Sequence, residues 1–163
     1  MAAMPTVAKT VEIKKEVDQV AASAKSAQDL MEKIVRLLHE RLLKYNWVGF
    51  YMLEKSKPPV LALGPFQGAM TPHTRIPLNQ GICGAAASTG KTIIVDDVSS
   101  DPRYLACSIE TKSEIVVPVF ARNEVIGELD IDSHFPAAFN QEDRELVEYC
   151  AGLVGKRLEK SRA

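Results

Sequence analysis

Residues 114–133 read EIVVPVFARNEVIGELDIDS, two apolar runs joined by a short polar one. Glu114 to Phe120 and Val125 to Ser133 are rich in β-branched residues. With Ala121-Arg122-Asn123-Glu124 between them they predict an antiparallel hairpin. Pro118 has no N–H for a ladder, which points to an edge or a bulge in the first run. Asp130 and Asp132 stand at i, i+2, so both side chains leave the same face of their strand. Two like charges in an otherwise apolar strand are costly unless a cation or hydrogen bonds offset them.

Upstream of the hairpin, Trp47-Val48-Gly49-Phe50-Tyr51-Met52-Leu53 reads as a central strand, and Val60 to Leu63 as a second strand ended by Gly64-Pro65. Lys55 to Pro59 is the turn between them. Phe66 to Thr74 has no period and reads as a loop, and Arg75 to Leu78 as a short extended piece. Gly81 to Ser88 is a short Ala-rich helix stopped at Gly90, and Thr92 to Asp96 is a strand. Asp97 to Lys112 is the longest irregular stretch, and a loop of that length in a small domain tends to be functional or disordered. Near the N-terminus, Ile13, Val17, Val20 and Ala24 predict a helix over Glu12 to Ala24 with Thr10 as its cap. Ser26 and Asp29 resemble a capping box for a helix from Ala27 to Tyr45 that buries Leu30, Ile34, Leu37, Leu38 and Leu42. After the hairpin, Asn140 caps a helix over Gln141 to Lys160, with Leu146, Val147, Cys150, Leu153, Val154 and Leu158 on its buried face. The sum is an α+β sandwich: an antiparallel sheet with the terminal helices on one face and loops across the other, where a ligand pocket forms. Residues 1–25 are expected to be an N-terminal extension with a helix, and residues 26–163 a single domain.

A chain of 163 residues suits one domain with a real core. Its 20 Lys+Arg nearly balance 21 Asp+Glu, so no basic stripe argues for nucleic acid. No apolar run is long enough to span a membrane, and the first residues have no apolar core like that of a signal peptide. A cytoplasmic protein is expected. Three cysteines in a reducing compartment are not a disulfide framework.

The cysteines divide by context. Cys150 lies on the apolar stripe of the last helix and reads as core. Cys107 lies in the long loop, where exposure makes reactivity plausible and Arg103 and Lys112 can lower its pKa. Cys83 sits between Gly81 and Gly84 at a helix start, where the dipole and free N–H groups stabilise a thiolate. One thiol of such a pair can resolve the oxidised form of the other. Each can equally be an inert small residue. Glu114, at a strand start, can donate a proton if burial raises its pKa, or be an ordinary surface acid. Asp130 and Asp132 can hold a cation, or cap the turn at Ser133. Trp47 and Tyr51, at i, i+4 on one strand, form an aromatic wall suited to a sulfur or a cation, or simply pack. Cys83, Cys107 and His73 have no metal-ligand spacing, and Ser-His-Asp and phosphate-loop patterns are absent, so neither a metal nor a cofactor is expected.

The stretches NWVGFYML, LGPFQG, RIP with GICG, AC followed by SEIVVP, and IGELDIDS with FNQED run in order from about Trp47 to Asp143. Together they resemble the free methionine-(R)-sulfoxide reductases, a family built on a single GAF domain. The resemblance implies a GAF-like sandwich with a six-stranded antiparallel sheet. It implies that Cys107 is the catalytic cysteine and Cys83 a second redox cysteine, that Glu114, Asp130 and Asp132 form an acidic pocket, and that Trp47 and Tyr51 form its aromatic wall. The implied activity is reduction of free L-methionine (R)-sulfoxide through a sulfenic acid at Cys107 and a disulfide, with a thioredoxin-like reductant and a homodimer formed through the terminal helices. The family commonly has a third cysteine just before RIP, where this chain reads PHTRIP and places His73. DPRYLAC also departs from the family's usual PGHIAC and looks more like sensory GAF domains. A non-catalytic GAF module that binds a small molecule is the alternative.

Overall fold

The structure, a computed structural model, describes residues 7–105 and 108–161. The strands are β1 (Trp47–Glu54), β2 (Val60–Gln67), β3 (Arg75–Pro77), β4 (Ile93–Val95), β5 (Ser113–Ala121) and β6 (Glu124–Ser133). They form one sheet in the order β3-β2-β1-β6-β5-β4, with every neighbouring pair antiparallel. This is the six-stranded antiparallel sheet expected. The hairpin closes on Arg122 and Asn123, both in the left-handed region with φ of 52° and 66°, the pair of conformations a two-residue turn needs to match strand twist. Pro118 lies beyond the reach of β4, which pairs β5 only from Glu114 to Val116, and just before a register shift at Val119 and Phe120.

Helices α1 (Val7–Ser23), α2 (Ala27–Arg41) and α4 (Gln141–Ser161) cover one face, and α3 (Gly81–Thr89) lies on the other. Strand alternation divides the side chains between the two. Val48 and Phe50 of β1, Ile115, Val117 and Val119 of β5, and Leu129 and Ile131 of β6 pack with Ile13, Val17, Leu30, Ile34, Leu38, Leu146, Val147, Cys150 and Val154. Each such side chain contributes about 1.5–3 kcal/mol by leaving water. The intervening residues face α3.

Three element limits differ from the sequence expectation by more than one residue. Helix α1 begins at Val7, so Thr10 is not its cap; Thr10 is buried within the helix and its hydroxyl donates to Glu142 of α4. Helix α2 ends at Arg41 rather than Tyr45, because the next residues are drawn to α4: buried Lys44 and the Tyr45 hydroxyl both donate to Asp143, at 2.9 and 2.6 Å. Asp143 and Asn140 cap each other's backbone N–H groups, so one side chain fixes both the start of α4 and the end of α2. Strand β2 does not stop at Gly64-Pro65. It absorbs them in a bulge opposite Gly49 to Tyr51 and continues to Gln67, so Phe66 is strand and not loop. The cap at Ser26 forms as expected, its hydroxyl accepting the Asp29 N–H.

Candidate active site

On the α3 side, period 2 along β6 presents three carboxylates in a row: Glu128, Asp130 and Asp132. Glu114 of β5 pairs directly with Asp132, and Gly49 of β1 flanks Asp130. All four acids are buried, none more than 5% exposed. Glu114 is therefore not a surface acid. Cys83 meets them from α3, its thiol donating to Asp130 Oδ2 at 3.3 Å. Gly81 allows that approach: it opens α3 with φ of 72°, and a Cβ there would stand 3.0 Å from Leu105.

Burial sets the electrostatics. Glu114 is pushed well above the usual carboxylate range by burial and then by Asp130 and Asp132. Asp132 is pushed well up by burial and by Asp130. Asp130 is raised by burial, with Glu114 and Cys83 hydrogen-bonding to it and opposing the rise. Glu128 is pushed well up by burial, with the nearby Cys83 thiol opposing the rise and Asp130 adding to it; the thiol stands outside hydrogen-bond geometry, so neither Glu128 oxygen has a partner. One oxygen each of Asp130 and Asp132 is also unpartnered. Such a cluster holds protons until a cation arrives to offset the charge.

Of the two readings open for Cys83, the buried surroundings favour the protonated, packed thiol. The thiol does sit in the first turn of α3, but burial and then Asp130, Glu128 and Glu114 raise its pKa well above the ordinary value. A helix start is worth a fraction of a unit charge, and three nearby acids outweigh it. Cys150 is buried on α4 with its pKa raised to about 12 by burial, consistent with a core thiol.

The aromatic wall exists and is larger than expected. Trp47 and Tyr51 lie 6.1 Å apart between centroids, and Phe66 stacks on Trp47 at 5.7 Å. The Trp47 ring folds across Gly49, where a Cβ would come within 2.3 Å of it, and its indole N–H donates to the Ala69 carbonyl. The Tyr51 hydroxyl donates to the His73 carbonyl at 2.7 Å, which draws the segment before β3 over the site. A cavity of about 220 Å³ is lined by Trp47, Asp132, Met70, Thr71, Ser108 and His134 among others. A second, of about 20 Å³, lies under α3 among Tyr51, His73, Cys83, Leu105, Glu114 and Asp130. Cys107 lies outside the described residues. Its chain neighbours on either side of that gap, Leu105 and Ser108, each line one of these two cavities.

Sequence reasoning missed Glu128 and Phe66. Glu128 was legible as the next position in the i, i+2 series that singled out the two aspartates. Phe66 was not, because its place opposite Gly49 depends on the bulge in β2.

The GAF domain family matches residues 26–158. Similar proteins are the free methionine-R-sulfoxide reductases of Saccharomyces cerevisiae, 44% identical over 112 residues or 68% of this chain, and Escherichia coli, 42% identical over 109 residues or 67%. The match spans 62% and 64% of those two relatives' own lengths. The structure of the free methionine-R-sulfoxide reductase of Neisseria meningitidis, solved in complex with its substrate, has a TM-score of 0.89 at 35% identity, covering 99% of this chain and 98% of that one. The chain is thus a GAF-domain protein. Within that class it belongs to the free methionine-R-sulfoxide reductase family.

Proposed function

We propose that this protein reduces free L-methionine (R)-sulfoxide to L-methionine by thiol chemistry. The observation that carries the proposal is the buried acid cluster, with unpartnered oxygens on Asp130 and Asp132, beside an aromatic wall and a cavity sized for one small molecule. The substrate's ammonium group supplies the missing positive charge at Asp130 and Asp132. Trp47, with Tyr51 behind it, packs on the methyl-sulfur end. Glu114, protonated in the free protein, donates its proton to the sulfoxide oxygen as the Cys107 thiolate attacks sulfur. The hydroxyl then passes from the substrate sulfur to the Cys107 sulfur as the substrate S–O bond and the transient S–S bond both break, which leaves Cys107 as a sulfenic acid and releases methionine. Cys83 then attacks the Cys107 sulfur, its proton going by way of Asp130 to the departing oxygen, which leaves as water. Two electrons from a thioredoxin-like dithiol reopen the disulfide. A peptide-bound methionine sulfoxide carries no ammonium at that point, which accounts for selectivity toward the free amino acid.

The same proposal assigns the protein to the reducing cytoplasm and pairs two copies through the terminal helices, where Val11 of α1 is left 47% exposed. None of the described helices is long and apolar enough to cross a membrane.

The test is consumption of free methionine (R)-sulfoxide by the reduced protein with thioredoxin or a small dithiol. Wild type should turn over and Cys107→Ser should not. Equal inactivity of both, with methionine sulfoxide still bound, would favour the non-catalytic binding module instead.

A further inference from the structure

The small cavity under α3 has the dimensions and donors of a cation site. Cys83 Sγ, a Glu114 oxygen and an Asp130 oxygen come from three separate elements, and these atoms all lie within 4.8 Å of one another. The cavity they line, about 20 Å³, has room for one water-sized body and no more. One Asp130 oxygen and both Glu128 oxygens are buried without a partner, and Glu128 faces the same thiol.

We propose that this cavity binds one borderline-soft divalent cation of the Zn²⁺ type in the reduced, substrate-free protein, through Cys83, Glu114 and Asp130. A thiolate selects such a cation over Mg²⁺ or Ca²⁺, for which carboxylates alone would serve. One donor pair already has the spacing it needs. Tetrahedral zinc with bonds of about 2.0–2.3 Å holds neighbouring donors about 3.3–3.6 Å apart. The Cys83 sulfur and Asp130 Oδ2 already stand at 3.3 Å. On binding, the Cys83 thiol proton and the proton that Glu114 carries in the free protein pass to solvent, and the second, unpartnered Asp130 oxygen supplies the fourth donor. The cation occupies acids that the proposed substrate ammonium also needs and ties up the thiol proposed to resolve the disulfide, so it would act as a reversible inhibitor. That inhibition rests on the function proposed above; the metal site itself rests on geometry alone.

The test uses the full reduced chain, stripped with a chelator and titrated with Zn²⁺ by calorimetry and with Co²⁺ by absorption. Wild type and Cys107→Ser should each bind one equivalent and show a sulfur-to-cobalt charge-transfer band. Changes in outer-shell groups alone cost about 10–100-fold in metal affinity, so loss of the Cys83 ligand in Cys83→Ser should cost about 100-fold or more and remove the band. Glu114→Gln should weaken binding while keeping the band. Retention of the band in Cys83→Ser, its loss in Cys107→Ser, or no stoichiometric binding by wild type each overturns the proposal. Free methionine sulfoxide should compete with Zn²⁺. Tight, Cys83-dependent binding without such competition keeps the metal site and removes the substrate ammonium from these acids.

Discussion

Replacing Glu128 with methionine should stabilise the ligand-free protein, and by more as the pH rises. Glu128 is fully buried on β6 and neither of its oxygens has a hydrogen-bond partner. A neutral polar group buried that way costs about 1–3 kcal/mol on protein mutational scales, and a methionine of similar length avoids it. Ionisation adds to the cost. Burial holds this acid well above its ordinary value, so over a range of pH the folded protein keeps a proton that the unfolded chain has released. From about pH 4.3, the unfolded value, up to the native value, wild-type stability therefore falls with rising pH by up to about 1.4 kcal/mol per unit for this group. The variant lacks that share of the slope. Near pH 5 it should gain about 1–3 kcal/mol, or about 2–12 °C in Tm for a chain of this size, with the gap wider at pH 8. Thermal unfolding followed by circular dichroism at pH 5, 6.5 and 8, with a chelator and no substrate, measures it. A variant less stable than wild type at all three values, or a gap that narrows as pH rises, would refute the reasoning.

Other outcomes follow from the same geometry. Asp132→Asn removes a charged partner worth about 1.5–3 kcal/mol, so KM for free methionine sulfoxide should rise about 10–150-fold with a smaller change in kcat; an unchanged KM would take the ammonium away from Asp132. The raised pKa of Cys83 and its burial predict slow alkylation at pH 8 in the folded resting protein, read by mass spectrometry of the digested chain, and fast labelling there would mean that the thiol is exposed or ionised after all. Lys44→Met leaves Asp143 charged and buried without its cation, and should cost about 3–5 kcal/mol in denaturant unfolding. A loss below about 1 kcal/mol would mean that the Asn140 and Tyr45 contacts suffice for Asp143.

How much was legible in the sequence depended on how local its cause was. The hairpin, the stripes of α2 and α4 and the acid pair on β6 follow from periods of 2 and 3.6, so their residues announced them. The end of α2 did not, because nothing in residues 42–45 breaks a helix; Asp143, about a hundred positions away, pulls them out of it. The extent of β2 was hidden for a related reason, since Gly64-Pro65 reads as a stop and becomes a bulge only because β1 offers a partner on both sides. Cys83 is the instructive site residue. Its sequence setting, a helix start between glycines, predicts a lowered pKa, and only the fold reveals three acids around it.

The acids and the core share one physical origin. On β6, Leu129 and Ile131 face the helices while Glu128, Asp130 and Asp132 face α3. Sliding β6 by one residue would bury three acids in the apolar core and turn the aliphatic residues toward α3, so the strong hydrophobic preference of one face fixes the register of the other. That lets the protein hold a cluster which no local interaction favours. The helix-side core, with α1, α2 and α4 packed on it, supplies the stability, and the acids remain under-compensated and poised for a cation. Any positive group that satisfies Asp130 and Asp132 recovers part of this cost on binding, whether it is an ammonium or a metal ion. Its affinity therefore draws on the uncompensated cost of these buried oxygens, and the bound protein should unfold at a higher temperature than the free one.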